Sequence, residues 1–395
     1  MTDFGKRSGD MFKSTYDTDE NGTVDAVVSH KTSHQNGGSD KITVSGLPGE
    51  LADEQDAGKL KGVIINDAAI ADQKVLAWDQ ATNRIVYITP APSYSEAAFL
   101  IRAPQLSSQA NAYALAVYNN KLYCGTGSGG RLFEWDDVSA WVEKAGQLNS
   151  QSSIYSLAVY NSKLYGGTGN GGRLFEWNDV NAWVEKAGQL NSQAGIYSLA
   201  AYNSKLYGGT GNAGRLFEWD DASAWSEVAG QLDTQLQINA LLVFNTKLYG
   251  CTYDGGRLFE WNDVNAWVQK APQEGSETFL QSLAEYNSKL YAGTNPGGRL
   301  FEWNDSNAWV EKAGQLNSQG NIHSLKSFNS KLYGGTGATG RLFEWNDTDA
   351  WAEKAARSHL QTNIRGLAVF NSKLYACSQN LGNLFQYIGV VEITE

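Results

Sequence analysis

The hexapeptide Gly-Arg-Leu-Phe-Glu-Trp occurs six times, with its arginine at Arg131, Arg173, Arg215, Arg257, Arg299 and Arg341. A seventh, weaker copy, Gly382 to Tyr387, keeps the 42-residue step that separates the others, so no residue is inserted or lost along the series. Lys-Leu-Tyr follows the same step from Lys121 through Lys163, Lys205, Lys247, Lys289 and Lys331 to Lys373. A fixed period of this size marks a repeat architecture, in which each unit buries its apolar surface against its neighbours. The 395 residues would ordinarily suggest two or three domains, but the repeat accounts for residues 98–395 as one.

The copy from Ser150 to Asn191 holds four runs rich in β-branched and aromatic residues: Ile154 to Tyr160, Lys163 to Gly167, Arg173 to Trp177 and Ala182 to Ala187. Clusters of Gly, Asn, Asp and Ser separate them, which are hairpin signals, so each repeat reads as a four-stranded antiparallel meander. Alternation puts Phe175 and Trp177 on one face of the sheet and Leu174 on the other with Glu176. Such a sheet cannot bury two apolar faces alone. The predicted fold class is therefore all-β: a seven-bladed β-propeller, whose ring leaves only short edges. The seventh repeat stops after its third strand, Leu384 to Ile388. Its missing fourth strand stands at the other end of the domain, where Ala98 to Leu106 matches Ala140 to Leu148 in pattern, so the N-terminal strand is expected to close the ring. An open solenoid is the alternative.

A net charge of −11 and a pI of about 5.0 argue against a nucleic-acid surface. No span has the length for membrane insertion, and the polar start from Met1 to Ser14 is not expected to be a signal peptide. Cys124, Cys251 and Cys377 fall where sister repeats carry Gly or Ala, so they read as small buried residues. Residues 1–97 lack the period and are rich in Asp, Gly and Ser; a hairpin at 75–88 and a Pro90-Ala91-Pro92-Ser93 linker lead into the propeller.

Three stretches of this N-terminal part carry a resemblance: Gly9 to Asp17; His30 to Asp40 with Gly46 to Leu51; and the Val75 to Tyr87 hairpin. They resemble modules in the shaft-proximal parts of bacteriophage tail fibres and related adhesins. The resemblance implies attachment to virion or tail components through residues 1–97, intertwined homotrimers, and receptor binding by the C-terminal domain, with the protein in the virion or extracellular after lysis. Residues 98–395 resemble seven-bladed propellers generally, lectin-type ones included, but lack the Trp-Asp and double-glycine signatures of two large propeller families.

Asp17, Asp19, Asn21 and Asp25 supply the front half of a calcium loop with Gly22 at the sharp turn, but Val28 stands where the bidentate carboxylate belongs. A weak or shared Ca2+ site and a solvated acidic turn both remain open, and no other cofactor is expected. His30 and His34 lie four apart, a spacing open to a metal site in a trimer or to a polar shaft segment. An enzyme is not expected: Glu176 recurs in six repeats, which fits a residue that ties strands together better than one used once for catalysis.

Variation between the copies gathers in two places. One is the start of the first strand, where Tyr113, Tyr155, Tyr197, Asn239, Gln281, His323 and Arg365 are equivalent. The other is the loop between the second and third strands, with Asn170, Asn212, Tyr253 and Asp254 among its members. In a meander both lie at one end of the blade, whereas the nearly constant Asn161-Ser162 and Asn178-Asp179 turns lie at the other. The variable end is thus the expected ligand-binding face. Its expected ligand is a cell-surface glycan, since Tyr, Asn, Gln, His and Asp suit hydroxyl recognition and ring stacking. The rival reading is a repeat scaffold that binds a protein receptor without sugar affinity.

Overall fold

The computed structural model describes residues 99–103, 109–135, 137, 140–147, 151–189, 191–222, 224–231, 234–315, 318–356, 362–380 and 382–389, together with the backbone of six short strands between residues 42 and 88. The chain divides into two units, Met1–Tyr94 and Ser95–Glu395. In the first, Ile42–Thr43 pairs with Glu50–Leu51, Lys59–Leu60 with Val63–Ile64, and Val75–Asp79 with Arg84–Ile88, all antiparallel. The last of these is the expected hairpin. The calcium-loop candidates Asp17, Asp19, Asn21 and Asp25, the His30 and His34 pair, and most of the fibre-like motifs lie outside the described residues.

The second unit is a ring of seven four-stranded antiparallel sheets in meander order. In the second blade the strands are Ile154–Tyr160, Lys163–Thr168, Leu174–Trp177 and Trp183–Ala187. Each first strand packs against the first strand of the next blade, and that of the seventh returns to that of the first. Phe99–Ala103 completes the seventh sheet, pairing Ala103 with Leu384 and Phe99 with Tyr387. At this outer position Arg102 Nε donates to Gln386 Oε1 at 2.6 Å. The second blade has an ion pair there instead, Lys186 with Glu176 at 3.3 Å.

The constant turns are fixed by local chemistry. Asn161 and Ser162 both take positive φ, 44° and 56°, as a two-residue hairpin with the twist of its strands requires, and asparagine tolerates that region. The Tyr160 hydroxyl donates to the Ser204 carbonyl in the next blade's turn at 2.7 Å, and Tyr286 does the same to Ser330 at 2.8 Å. In the other turn, Asn178 Oδ1 accepts from the amides of Val180, Asn181 and Ala182. The repeated glutamates are likewise occupied within their own sheets: Tyr165 and Tyr291 each donate a hydroxyl to Glu176 and Glu302 at 2.8 Å.

Blades meet through one apolar contact repeated around the ring. Ile196, at the start of the third blade, is fully buried between Gly167 of the second blade and Gly208 of its own. A Cβ on Gly167 would stand 2.7 Å from Ile196 Cγ2 and 2.6 Å from Ser156 Oγ, so only glycine fits there. Ser156 Oγ donates to the Ile196 carbonyl at 3.1 Å and latches the two blades together. At the seam between the seventh and first blades this arrangement is rebuilt. Ala112 replaces the isoleucine, and Cys377 and Cys124 replace the two glycines around it. Gly366 stands in the place of the serine, and Cys377 Sγ takes over the latch, reaching the Ala112 carbonyl at 3.6 Å. Cys251 repeats the exchange opposite Ala240, with its thiol 3.5 Å from the Leu280 carbonyl. Burial pushes the Cys251 thiol up to about 12 and the Cys124 thiol well above its ordinary value, so both remain protonated.

Two outcomes are expected. Removing residues 98–103 uncovers the edge of the seventh sheet and exposes surface now packed on Phe99, lowering stability by at least about 3 kcal/mol in denaturant titration. At the seam, Cys124→Gly with Cys377→Gly leaves a void costing roughly 2–4 kcal/mol. Adding Ala112→Ile recovers more than half of that loss by restoring the packing used at the other interfaces; no recovery would show that the seam packs by different rules.

Candidate functional site

The seven variable first-strand residues share a backbone irregularity. In the second blade Ile154 pairs with Thr168 and Ser156 with Gly167, so Tyr155 is an extra residue with no partner across the ladder. The same slip occurs at Tyr113, Tyr197, Asn239, Gln281, His323 and Arg365. A bulge re-aims its side chain out of the alternating pattern. All seven, joined by Gln237, line one cavity of about 260 Å³, and all seven are half-buried.

One arc of this cavity is aromatic. Tyr155 stacks on Tyr197 with ring centroids 4.9 Å apart and planes 28° from parallel, while Tyr113 meets Tyr155 edge-on at 5.1 Å. Each ring lies over a glycine at the end of its own second strand. A Cβ on Gly211 would stand 2.4 Å from the Tyr197 ring, and one on Gly127 would stand 2.6 Å from that of Tyr113. Burial raises the Tyr113 and Tyr197 hydroxyls above their ordinary values, so both stay protonated donors.

The other arc is polar. Asn239 Nδ2 donates to the Leu280 carbonyl at 2.7 Å, and its Oδ1 accepts from Gln237 Nε2 at 2.5 Å. His323 Nε2 lies 3.4 Å from Asn321 Nδ2. Burial, reinforced by the nearby positive charge of Arg365, drives His323 down to about 3, so the imidazole is neutral at neutral pH. Arg365 Nε donates to Gln379 Oε1 at 3.1 Å, and its guanidinium carbon lies 5.8 Å from the centre of the Tyr113 ring. Burial lowers Arg365 below its ordinary value without approaching neutrality at physiological pH.

The loop candidates stand apart from this cavity. Both variable segments do lie at one end: the Gly169 amide donates to the Ser153 carbonyl at 2.9 Å, joining the loop to the strand start. Yet Asn170, Asn212, Tyr253 and Asp254 do not line the cavity. Asn170 and Asn212 are exposed, and Asp254 takes a left-handed φ of 64°. Tyr253 stacks flat on Phe279 of the next blade, with centroids 3.8 Å apart. Gln237, from a second variable position at the same strand entry, lines the cavity as well. The signal for it was the exchange within blades, since Gly127, Gly169, Gly211 and Gly337 accompany Tyr113, Tyr155, Tyr197 and His323, whereas Tyr253, Asn295 and Gln379 accompany the other three.

A second cavity, of about 520 Å³, opens beside the constant turns of the fifth and sixth blades. Leu242, Lys326, Glu285 and Ser327 line it where most sister repeats carry Ala or Val. Variation is therefore present at that end too, within the strands and not in the turns.

Comparison with known proteins bears on the fold. No protein-family model matches the chain, and no curated protein matches its sequence. Among solved structures, it is similar to a catalytically inactive virginiamycin B lyase from Staphylococcus aureus solved with quinupristin. That likeness has a TM-score of 0.64 at 9% identity, over 73% of this chain and 98% of the lyase. The structure of YCF48 bound to D1 peptide aligns with a TM-score of 0.60 at 16% identity, over 75% of this chain and 99% of its own. The WD40 β-propeller domain of Doa1 aligns with a TM-score of 0.57 at 14% identity, over 73% and 96%. At such identities the likeness shows the propeller fold alone, and none of the three is a phage tail fibre.

The depressed His323 value carries a sign. Between pH 6.5, where the unfolded imidazole titrates, and about 3, the unfolded chain binds a proton that the folded chain does not, so stability falls on acidification through that window. His323→Gln, the counterpart of Gln281, is expected to remove roughly 1 kcal/mol per pH unit of that slope when unfolding is measured from pH 6.5 to 4.5. Identical slopes for the two proteins would show that His323 is solvated.

Proposed function

We propose that this protein is a phage-tail-type receptor-binding protein or adhesin that recognises a cell-surface glycan at the mouth of the propeller channel. The observation that carries the reading is the convergence of seven bulge residues, of five different kinds, on one cavity. Around it the frame hardly changes, with Leu174-Phe175-Glu176-Trp177 repeated in six blades, while the bulge position runs from tyrosine through amides to histidine and arginine. Stacked tyrosines beside amide donors and acceptors match the alternating apolar faces and hydroxyl edges of a pyranose ring. The fibre-like stretches between Gly9 and Tyr87 support attachment of the N-terminal part to a virion, as a homotrimer, with the propeller presented outward.

A protein ligand is the second reading. Two observations favour it: the cavity at the opposite mouth, with Lys326 and Glu285 on its lining, and the peptide held by the propeller protein YCF48.

A glycan array with the full chain tests the first reading, followed by affinity measurement on Tyr155→Ala with Tyr197→Ala. The double variant is expected to lose at least tenfold in affinity, because it removes the stacked pair, while Asn161→Gly and Asn178→Asp at the constant turns leave binding unchanged. An array without signal, or binding lost through the turn variants alone, would overturn the assignment of this face.

A further inference from the structure

Five arginines of this propeller are paired with carboxylates, while Arg102 and Arg257 meet glutamine side chains on the outer strands. Arg131, Arg173, Arg215, Arg299 and Arg341 reach Glu143, Glu185, Glu227, Glu311 and Glu353 at 2.5–2.7 Å on the outer strands. Arg365 departs from this pattern. It stands at the inner bulge of the seventh blade, its Nε held by the neutral Gln379, and among the described residues no carboxylate pairs with it. The cavity it lines holds three tyrosines, three amides and the neutral His323, and no acidic side chain. A cation withdrawn from water without a counter-ion is costly to the folded state, and the cost is relieved when a ligand supplies the anion. Gln379 and the Tyr113 ring constrain the guanidinium, which reduces the side-chain entropy lost on binding.

Size narrows the ligand further. A cavity of about 260 Å³ lies below the roughly 300–1,000 Å³ of sites that enclose drug-sized ligands, so it admits one sugar ring and not a chain. We infer that the channel mouth takes the terminal residue of an acidic glycan, with its carboxylate on the Arg365 fork and its ring toward the Tyr155–Tyr197 stack. This rests on the glycan reading above and names the class of sugar. A planar carboxylate matches two parallel N–H donors of a guanidinium, which neither the amides nor His323 can offer.

The test uses the full chain on an array of glycans ending in glucuronate, galacturonate or sialate, with counterparts ending in glucose and galactose. Calorimetry on the best acidic glycan and its carboxamide follows. The expected result is a roughly ten- to hundredfold preference for the acid over its neutral counterpart, abolished by Arg365→Gln. Glutamine occupies the same bulge at Gln281, so the blade accepts it. If that variant fails to fold, the acid-against-carboxamide comparison on the unaltered protein decides the matter. Equal affinity for acid and neutral forms, or a preference that survives Arg365→Gln, overturns the inference and leaves the glycan reading standing. No binding to glycans of either charge removes the glycan reading and this inference together.

Discussion

The contact on which this propeller depends is the seating of one buried branched side chain between two backbones that carry none. Ile154 and Ile196 each fill the space left by glycines on either side, and an added methyl group at Gly167 would collide at 2.7 Å. This closeness explains why Lys-Leu-Tyr is followed in every second strand by two small residues, glycine, alanine or cysteine: the leucine and tyrosine are buried, and the small residues leave room for the branched side chain. At the three cysteines the pattern breaks in sets. Cys377 arrives together with Gly366 and Ala112, and Cys251 together with Ala240, so the volume and the inter-blade hydrogen bond are both retained. A core packed to this density accepts only compensated changes.

Much of this was legible in the sequence because a repeat tests its own interpretation seven times. The strand at Ile154–Tyr160, the turn at Asn161 and Ser162, and closure by Phe99–Ala103 all follow from period, turn chemistry and the missing final strand. The bulge was not legible, since one unpaired residue leaves no trace in a pattern of apolar letters. Without it, Tyr155 and Asn170 look like equal partners on one face; with it, Tyr155 turns into the channel and Asn170 remains outside. The cysteines were read as buried, but their joint replacement with Ala112 shows only when the seventh blade is set beside the first. The constant turns lie at the end of the blade opposite the variable mouth. Their constancy has a structural cause in the Tyr160 and Asn178 hydrogen bonds, so it carries less information about binding than the variable mouth does.

A sevenfold frame that bears five kinds of side chain at seven equivalent positions separates two requirements that most binding sites must reconcile. Most of the buried core resides in positions that repeat, such as Phe175, Trp177 and Glu176, while the bulge residues are half-buried and meet one another across blades only at the channel mouth. A change at one bulge is constrained chiefly by the residue beneath it in the same blade. Tyrosine needs the glycine at Gly127, Gly169 or Gly211, while Arg365 uses Gln379. Recognition can therefore shift two residues at a time with the ring intact.

The closing strand also determines where mechanical load enters the molecule. The polypeptide joins the ring through Phe99–Ala103, which belongs by pairing to the last blade and not to the first. Tension transmitted along residues 1–98 is thus borne first by four residue pairs on the outer edge of the seventh sheet and by the Arg102–Gln386 side-chain bond beside them. Resistance to such a pull is governed by the rate at which this strand peels away, a kinetic quantity that equilibrium stability does not report. A propeller tethered to a larger assembly and gripped by its ligand would be only as durable as that edge.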